Sequence, residues 1–347
     1  MVQQKTKLRA VLVGCGGIAN AWLGPIDGFD DVEVVGLVDL NLAAAEKLAA
    51  EHGLGEHGVY IGESVSAAVK ATGADAVFDC TVPAAHPSVT LEALECGCHV
   101  LGEKPMAESL NDARKMVAAA ERSGKVYAVI QNRRYMDSIV RFRDLLASGE
   151  IGSLHTLNAD FYLGPHFGGF REEMKHVLLA DMAIHSFDQG RFLTDADPVS
   201  VFCLDWNPPG SWFSHGASAV AIFKMSDGLV FTYRGSWCAQ GLSTSWECDW
   251  RAIGTDGTAL WDGGEGMSAE RVSDGGESMH ETSTVDTASD ASLEHTGHAG
   301  VIRDFVDCVL HGVPLPQTIC TDNIKSLAMV DSAIESAETG GWVDIKL

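Results

Sequence analysis

The stretch that most constrains this chain is an apolar run, Leu8 to Val13, that passes without a spacer into Gly14-Cys15-Gly16-Gly17-Ile18-Ala19 and then into a helical pattern. A strand that turns on glycines into a helix has few folds open to it. Gly14 permits the tight turn, Gly16 lets backbone approach a pyrophosphate seated on the helix N-terminus, and Ala19 lets helix and strand pack closely; Gly17 and Ile18 complete the turn. A second branched run, Val32 to Val38, ends in Asp39, about 20 residues beyond Ala19. An acid there accepts both hydroxyls of an adenine ribose and repels a 2′-phosphate. Leu40 and Asn41 follow it, not arginine. The pattern predicts NAD as cofactor, rather than NADP.

The first 130 residues continue the same rhythm. Ala76–Cys80, His99–Leu101 and Val126–Ile130 read as strands, and Leu42–His52, Pro87–Cys96 and Asn111–Ser123 as helices. Alternation of this kind builds a parallel sheet covered on both faces, a doubly wound Rossmann-type α/β domain over residues 1–130. Beyond residue 131 the period changes. A helix at Ile139–Ser148 precedes strands at His155–Tyr162, Val199–Trp206, Ser218–Lys224, Leu229–Ser236 and Glu247–Gly254, joined by turns such as Ser226-Asp227-Gly228 and Thr255-Asp256-Gly257. Residues 262–298 are acidic and rich in Gly, Ser and Thr, and read as long loops and irregular edge strands. Helices return at Gly300–Leu310 and Asn323–Thr339. Residues 131–347 are therefore expected to form an α+β domain with a large, open, mostly antiparallel sheet.

Charge and composition narrow the partners. The formal net charge is −24 over 347 residues, which argues against nucleic acid and against anionic membrane as partners. No window approaches the ~18 to 20 apolar residues of a membrane span, and the start of the chain lacks the features of a signal peptide. Nine irregularly spaced cysteines without a CxxC suit reduced thiols, and a cytoplasmic location is expected. Cys96-Gly-Cys98 reads as two small apolar residues beside a strand.

Two further segments carry chemistry. Lys104, in Leu101-Gly102-Glu103-Lys104-Pro105, follows a strand of the first domain; ligands of doubly wound sheets lie at the carboxyl ends of strands, so this lysine is placed toward the nicotinamide. Alone, it also fits a solvated surface position. Asp181 and His185 are four apart and share a face if their segment is helical. A carboxylate beside an imidazole gives a general base for an alcohol proton. The same spacing also fits a structural histidine or half of a zinc site, but no third ligand is evident and no metal is expected.

Together the glycine turn, Glu103-Lys104-Pro105 and Asp181-x-x-x-His185 resemble the glucose-fructose oxidoreductase / inositol dehydrogenase (Gfo/Idh/MocA) family. Thr81-Val82-Pro83-Ala84-Ala85-His86 resembles its loop after the fourth strand, Gln131-Asn132-Arg133-Arg134-Tyr135 and Gly149-Glu150-Ile151-Gly152 its crossover into the second domain, and Asp322 to Leu327 its last helix. The resemblance implies an NAD-dependent sugar or cyclitol dehydrogenase acting on a ring CH–OH, assembled as a homodimer or homotetramer through the open sheet. It implies that Thr81, Pro83, His86, Glu103, Lys104 and Arg133 join Gly14, Gly16, Gly17, Ile18, Ala19 and Asp39 around the cofactor. Lys104, Arg133, His176, Asp181 and His185 would face substrate. Lys104 would stabilise alkoxide charge, Asp181 would position the substrate, and His185 would take the proton. Ala183 departs from the family's usual glycine, and Lys175-His176 stand where small residues are common; both bear on substrate identity.

No arginine cluster offers a phosphate clamp, so an unphosphorylated monosaccharide, sugar derivative or cyclitol is expected. The tryptophans of the second domain (206, 212, 237, 246, 250 and 261) suit sugar faces but equally a core or subunit interface. Two other readings remain at this level. One is an NAD-dependent glycosidase working through transient oxidation and elimination. The other is a dinucleotide-binding sensor without catalysis, for which Lys104 and His185 would be unnecessary.

Overall fold

The computed structural model describes residues 6–274, 280–312 and 314–347. They group into two compact units, Met1–Tyr135 with Glu294–Ile324, and Met136–Leu293 with Lys325–Leu347. The expected division at residue 130 therefore needs a return: the stretch 294–324 joins the first unit.

The first unit begins with β1 (Leu8–Val13), α1 (Ala19–Ile26), β2 (Val32–Val38), α2 (Leu42–Glu51), β3 (Tyr60–Gly62), α3 (Val65–Thr72), β4 (Ala76–Asp79), α4 (His86–Glu95), β5 (His99–Gly102), α5 (Leu110–Ser123) and β6 (Tyr127–Val129). Its six strands are all parallel in the order β3-β2-β1-β4-β5-β6. Apart from the short edge strand β3, the strands are largely buried on both faces, which is why they read as unbroken apolar runs. In a parallel sheet every strand ends on the same edge. The segments after β1, β2, β4, β5 and β6, which carry Gly14, Asp39, Thr81, Lys104 and Arg133, thus share one edge.

In the second unit α6 (Asp137–Ala147), β7 (Leu154–Tyr162), α7 (Phe170–Glu173) and α8 (Ile184–Thr194) precede β8 (Pro198–Trp206), β9 (Ser218–Met225), β10 (Val230–Ser236), β11 (Asp249–Gly254), β12 (Gly257–Trp261), β13 (Met267–Asp274) and β14 (Glu281–Val285). With the late strand β15 (Val343–Asp344) they form a nine-stranded sheet, β14-β13-β12-β11-β7-β10-β9-β8-β15, antiparallel except between β7 and β10. The predicted strands agree with β7 to β11 to within two residues at each end. The acidic stretch read as loops and irregular edges contains the hairpin β13–β14; residues 275–279 of that stretch lie outside the described residues.

One face of this sheet is packed. Phe187 of α8 meets Phe223 edge-on at 4.8 Å, and the stack continues through Phe231 and Trp250 to Trp261. Gly190 lets α8 approach the strands, since a Cβ there would stand 2.8 Å from the Phe231 ring. The opposite face carries Phe202, Leu204 and Trp206 of β8, with Ile222 and Val220 paired to Phe202 and Leu204. Leu204 and Trp206 are 54% and 44% exposed.

After β14 the chain returns to the first unit with α9 (Gly297–His311), and α10 (Cys320–Thr339) follows. Phe305 of α9 meets Phe78 of β4, which meets Trp22 of α1, and Arg303 holds both oxygens of Asp31 at 2.8 Å. Apolar contact and a bidentate ion pair together seat α9 against the Rossmann core. Among the described residues no helix is long and apolar enough to cross a membrane.

Candidate active site

The glycine turn after β1 is built by backbone. Gly14 adopts φ +91°, and a Cβ on it would stand 2.7 Å from the Cys80 carbonyl and the Thr81 nitrogen, so β4's exit loop presses on this turn and only glycine fits. Gly16 and Gly17 differ: no atom lies within 4 Å of where their Cβ would be. Both are exposed, as is Ile18, while Ala19 is fully buried at the start of α1. Open space at the mouth of a helix N-terminus suits a diphosphate.

Asp39 ties two loops together. Its Oδ2 accepts the Cys15 amide and its Oδ1 the Asn41 amide, both at 2.7 Å. Gly14, Gly16, Asp39, Leu40, Thr81 and Val82 line a cleft of about 470 Å³. Leu40 and Val82 are 88% and 66% exposed, apolar surfaces against which a purine could lie. Pro83, on the same loop, is half-buried. The residues present thus fit a dinucleotide: open glycines for the diphosphate, a carboxylate at the end of β2 for the ribose, and apolar walls for the base.

Lys104 is half-buried at the carboxyl end of β5 and joined to Pro105 by a cis peptide bond. Glu103 beside it faces inward. Its Oε1 accepts the Trp22 indole N–H at 2.8 Å, its Oε2 accepts the Lys104 amide at 3.1 Å, and the His298 ring stands 3.8 Å away. Burial pushes the Glu103 carboxyl up, but the nearby His298 ring and the hydrogen bonds from Trp22 and the Lys104 amide outweigh it and hold the group below its ordinary range. This acid fixes the strand end that carries Lys104. His298 is in turn 3.3 Å from the Asn132 amide nitrogen, on the turn after β6 that also carries the half-buried Arg133. His86 is buried, its two ring nitrogens facing carbonyl oxygens.

In the second unit, Asp181 lies on a π-helical turn, Leu178–Ala183, that runs directly into α8 with His185 in its first turn. The shared face of Asp181 and His185 depends on a helical segment; the segment is helical, with wider i→i+5 bonding over Leu178–Ala183. Such wide turns cluster at functional positions. Residues four apart still fall on one side of a turn this wide. His185 is buried, and Asp181 is bound by Arg171, whose Nε donates to Oδ2 at 2.7 Å. The Arg171 guanidinium also lies 5.3 Å and 4.9 Å from the ring centres of Phe167 and Phe170. Two neighbouring rings and a carboxylate at Nε fix the guanidinium, and with it the Asp181 carboxylate. Neither this pair nor the roles of Trp22 and His298 could be read from the chain before folding.

His176 has φ +51°; its Nδ1 donates to Asp205, and its Nε2 is 3.4 Å from Glu338. Burial raises the Asp205 carboxyl, and the adjoining His176 opposes that rise. His176 is thus engaged by two carboxylates of its own unit. Among the described residues no group of three or more His, Cys, Asp or Glu is arranged to hold a metal ion. Trp237, Trp250 and Trp261 are buried, whereas Trp246 is 45% exposed beside Phe161 and Phe167.

Comparison with known proteins matches residues 8–131 to the oxidoreductase family with NAD-binding Rossmann fold, GFO_IDH_MocA, and residues 139–260 to the GFO/IDH/MocA C-terminal domain. The chain is 26% identical to the 1,5-anhydro-D-fructose reductase of Ensifer adhaerens, over 96% of this chain and 98% of that protein. It is also 26% identical to the D-apiose dehydrogenase of Paraburkholderia graminis, over 98% and 90%. Among solved structures, an oxidoreductase from Agrobacterium radiobacter in complex with NAD+, L-tartaric acid and magnesium superposes with a TM-score of 0.84 at 22% identity, covering 98% of this chain and 99% of the other. Two matched domains in order, on a Rossmann unit followed by a mostly antiparallel sheet, place this chain in the GFO/IDH/MocA family of NAD-binding oxidoreductases.

Proposed function

We propose that this protein is a dehydrogenase that exchanges a hydride between NAD and a ring CH–OH of an unphosphorylated monosaccharide, sugar derivative or cyclitol. The observation that carries the reading is Lys104, half-buried on the sheet edge that also bears the glycine turn and Asp39, and anchored there by the buried Glu103. The 1,5-anhydro-D-fructose reductase and D-apiose dehydrogenase relatives support a sugar substrate, as does the D-glucoside 3-dehydrogenase of Escherichia coli, 29% identical over 54% of each chain.

A dinucleotide bound here would supply the hydride chemistry, as acceptor for oxidation of the CH–OH carbon or as donor for reduction of the matching carbonyl. Lys104 Nζ donates a hydrogen bond to the reacting oxygen and stabilises alkoxide charge as it develops. His185 removes the hydroxyl proton and gives it back in the reverse direction. Asp181, held by Arg171, orients the substrate hydroxyls. Gly14, Gly16, Gly17, Ile18, Ala19, Asp39, Thr81 and Pro83 hold the cofactor, with Asp39 selecting NAD over NADP by repelling a 2′-phosphate. Arg133 and His176 border the substrate. The half-exposed apolar row on β8 and β9 is the surface we assign to a homodimer or homotetramer, and nine cysteines held as thiols rather than disulfides fit a reducing, cytoplasmic compartment.

The test is NADH formation with NAD or NADP across a panel of monosaccharides, cyclitols and their derivatives, comparing wild type with Lys104→Ala and His185→Ala. NADH from one sugar, lost in both variants, is the expected result. Tight NAD binding without turnover of any sugar overturns the dehydrogenase reading. Glycoside hydrolysis without net NADH would replace it with elimination chemistry.

A further inference from the structure

His86 opens α4 and is 2% exposed. Its Nδ1 stands 2.9 Å from the Pro105 carbonyl oxygen, and its Nε2 stands 3.1 Å from the Thr81 carbonyl oxygen. Carbonyl oxygens only accept. A neutral imidazole donates from one nitrogen alone, so one of these two pairs would set lone pair against lone pair; the imidazolium donates to both. A buried cation needs a counter-charge. Asp79, the last residue of β4, is fully buried nearby. Its Oδ1 accepts the Thr81 amide at 3.0 Å and the Thr81 hydroxyl at 2.5 Å, while its Oδ2 has no hydrogen-bond partner. Burial, with a smaller push from the Glu103 charge, leaves the Asp79 carboxyl above its ordinary range, and the His86 charge and the Thr81 bonds offset part of that rise. The other acid of this cluster is Glu103, engaged by Trp22, the Lys104 amide and His298.

The two carbonyls belong to different loops. Thr81 begins the loop that lines the dinucleotide cleft, and Pro105 directly follows Lys104. With both nitrogens occupied, the His86 ring has none left for a ligand. We infer that His86 is a positioning residue, a buried imidazolium that ties the Pro105 carbonyl, and so the backbone of Lys104, to the cleft loop at Thr81. Its kinetic consequence rests on the dehydrogenase reading; its hydrogen bonding does not.

Two substitutions separate the two ends of the tie. The amide nitrogen of asparagine stands near the histidine Nδ1 position, and that of glutamine nearer Nε2. His86→Asn thus keeps the Pro105 bond and gives up Thr81, whereas His86→Gln does the reverse. We expect His86→Asn to keep kcat within about tenfold of wild type and His86→Gln to lose roughly a hundredfold, the scale of a small misplacement of a reacting group. The Kd for NAD, read by fluorescence, should change little in either. Equal kcat in the two variants, or a loss that resides in Kd, overturns the inference. Independently, nitrogen-15 NMR of the protein without substrate should show one histidine, assigned by its absence from His86→Asn, with both ring nitrogens protonated at neutral pH. A single protonated nitrogen overturns the tie. If wild type turns over no sugar, the dehydrogenase reading fails by itself, and the NMR result alone decides for or against the tie.

Discussion

Replacing Glu103 by glutamine tests how the strand end beneath Lys104 is held. The carboxylate is 7% exposed and accepts from the Trp22 indole at 2.8 Å and the Lys104 amide at 3.1 Å, with His298 at 3.8 Å. Glutamine is nearly isosteric but keeps only one acceptor; its amide nitrogen turns hydrogens toward a neighbour that also donates. Bonds to a charged acceptor contribute ~1.5–3 kcal/mol against ~0.5–1.5 for neutral ones, and a buried donor left unmatched costs ~1–3 kcal/mol. One demoted bond and one mismatched donor give a loss of about 2–4 kcal/mol. At ~2–4 °C per kcal/mol for a unit of this size, Tm should fall by about 5–15 °C at neutral pH.

The pH dependence has a definite sign. Hydrogen bonds hold the Glu103 carboxyl below its ordinary value despite burial, so its stabilisation is present above the unfolded carboxylate range. It is lost as pH falls through the folded-state value. The gap in Tm between wild type and Glu103→Gln should therefore be widest at neutral pH and close in acid, as measured by calorimetry at several pH values. A variant that melts within about 2 °C of wild type at neutral pH, or a gap that widens in acid, refutes the assigned role.

Gly14→Ala places a Cβ 2.7 Å from backbone atoms of Cys80 and Thr81 at φ +91°; it should lose at least ~1–3 kcal/mol from the backbone conformation alone and bind NAD weakly, as thermal melts and fluorescence titration will report. Arg171→Met removes the Asp181 partner while keeping an apolar stem beside Phe167 and Phe170. It should lower kcat/KM by roughly tenfold or more, the scale of a lost charge-assisted bond, with the Kd for NAD unchanged. Asp39→Ser should raise the NADP-to-NAD ratio of kcat/KM by at least about tenfold, since a like-charge contact costs several kcal/mol. Leu204→Glu on the open face of the sheet should shift the protein toward monomer in light scattering if that face is the subunit interface.

The strands from β7 to β11 were legible because each alternates: in β10, Phe231, Tyr233 and Gly235 point inward while Val230, Thr232 and Arg234 point out. The short strand β3 and helix α3 carry too little pattern to stand out; Tyr60–Gly62 has three residues and none is fully buried. Strand β14 hides for a related reason, since Glu281, Thr282, Ser283 and Thr284 are polar at an edge where no core selects their faces. The helix α9 was legible as a helix, but helical period says nothing of which sheet a helix covers. Folded contacts settle that it belongs with the Rossmann strands, among them Phe305 against Phe78, Arg303 against Asp31 and His298 beside Glu103.

The candidate site divides along the same line. Gly14, Gly16 and Asp39 could be read because their chemistry is local: a turn, a helix mouth, a strand end. What holds the reactive groups could not, because it is non-local. Trp22 and Glu103 are 81 residues apart in the chain, and nothing in a lone tryptophan on α1 announces that its N–H ends on that carboxylate. Lys104, Asp181 and Glu103 each stand where a bonded neighbour constrains them, and those neighbours, with Arg171 and His298 among them, appear only once the chain is folded. Motifs name groups that can react, whereas reactivity also depends on how far each is free to wander. Substitutions at Trp22, Arg171 or His298 should therefore impair this protein through the placement of its reactive groups, although none of the three belongs to a motif.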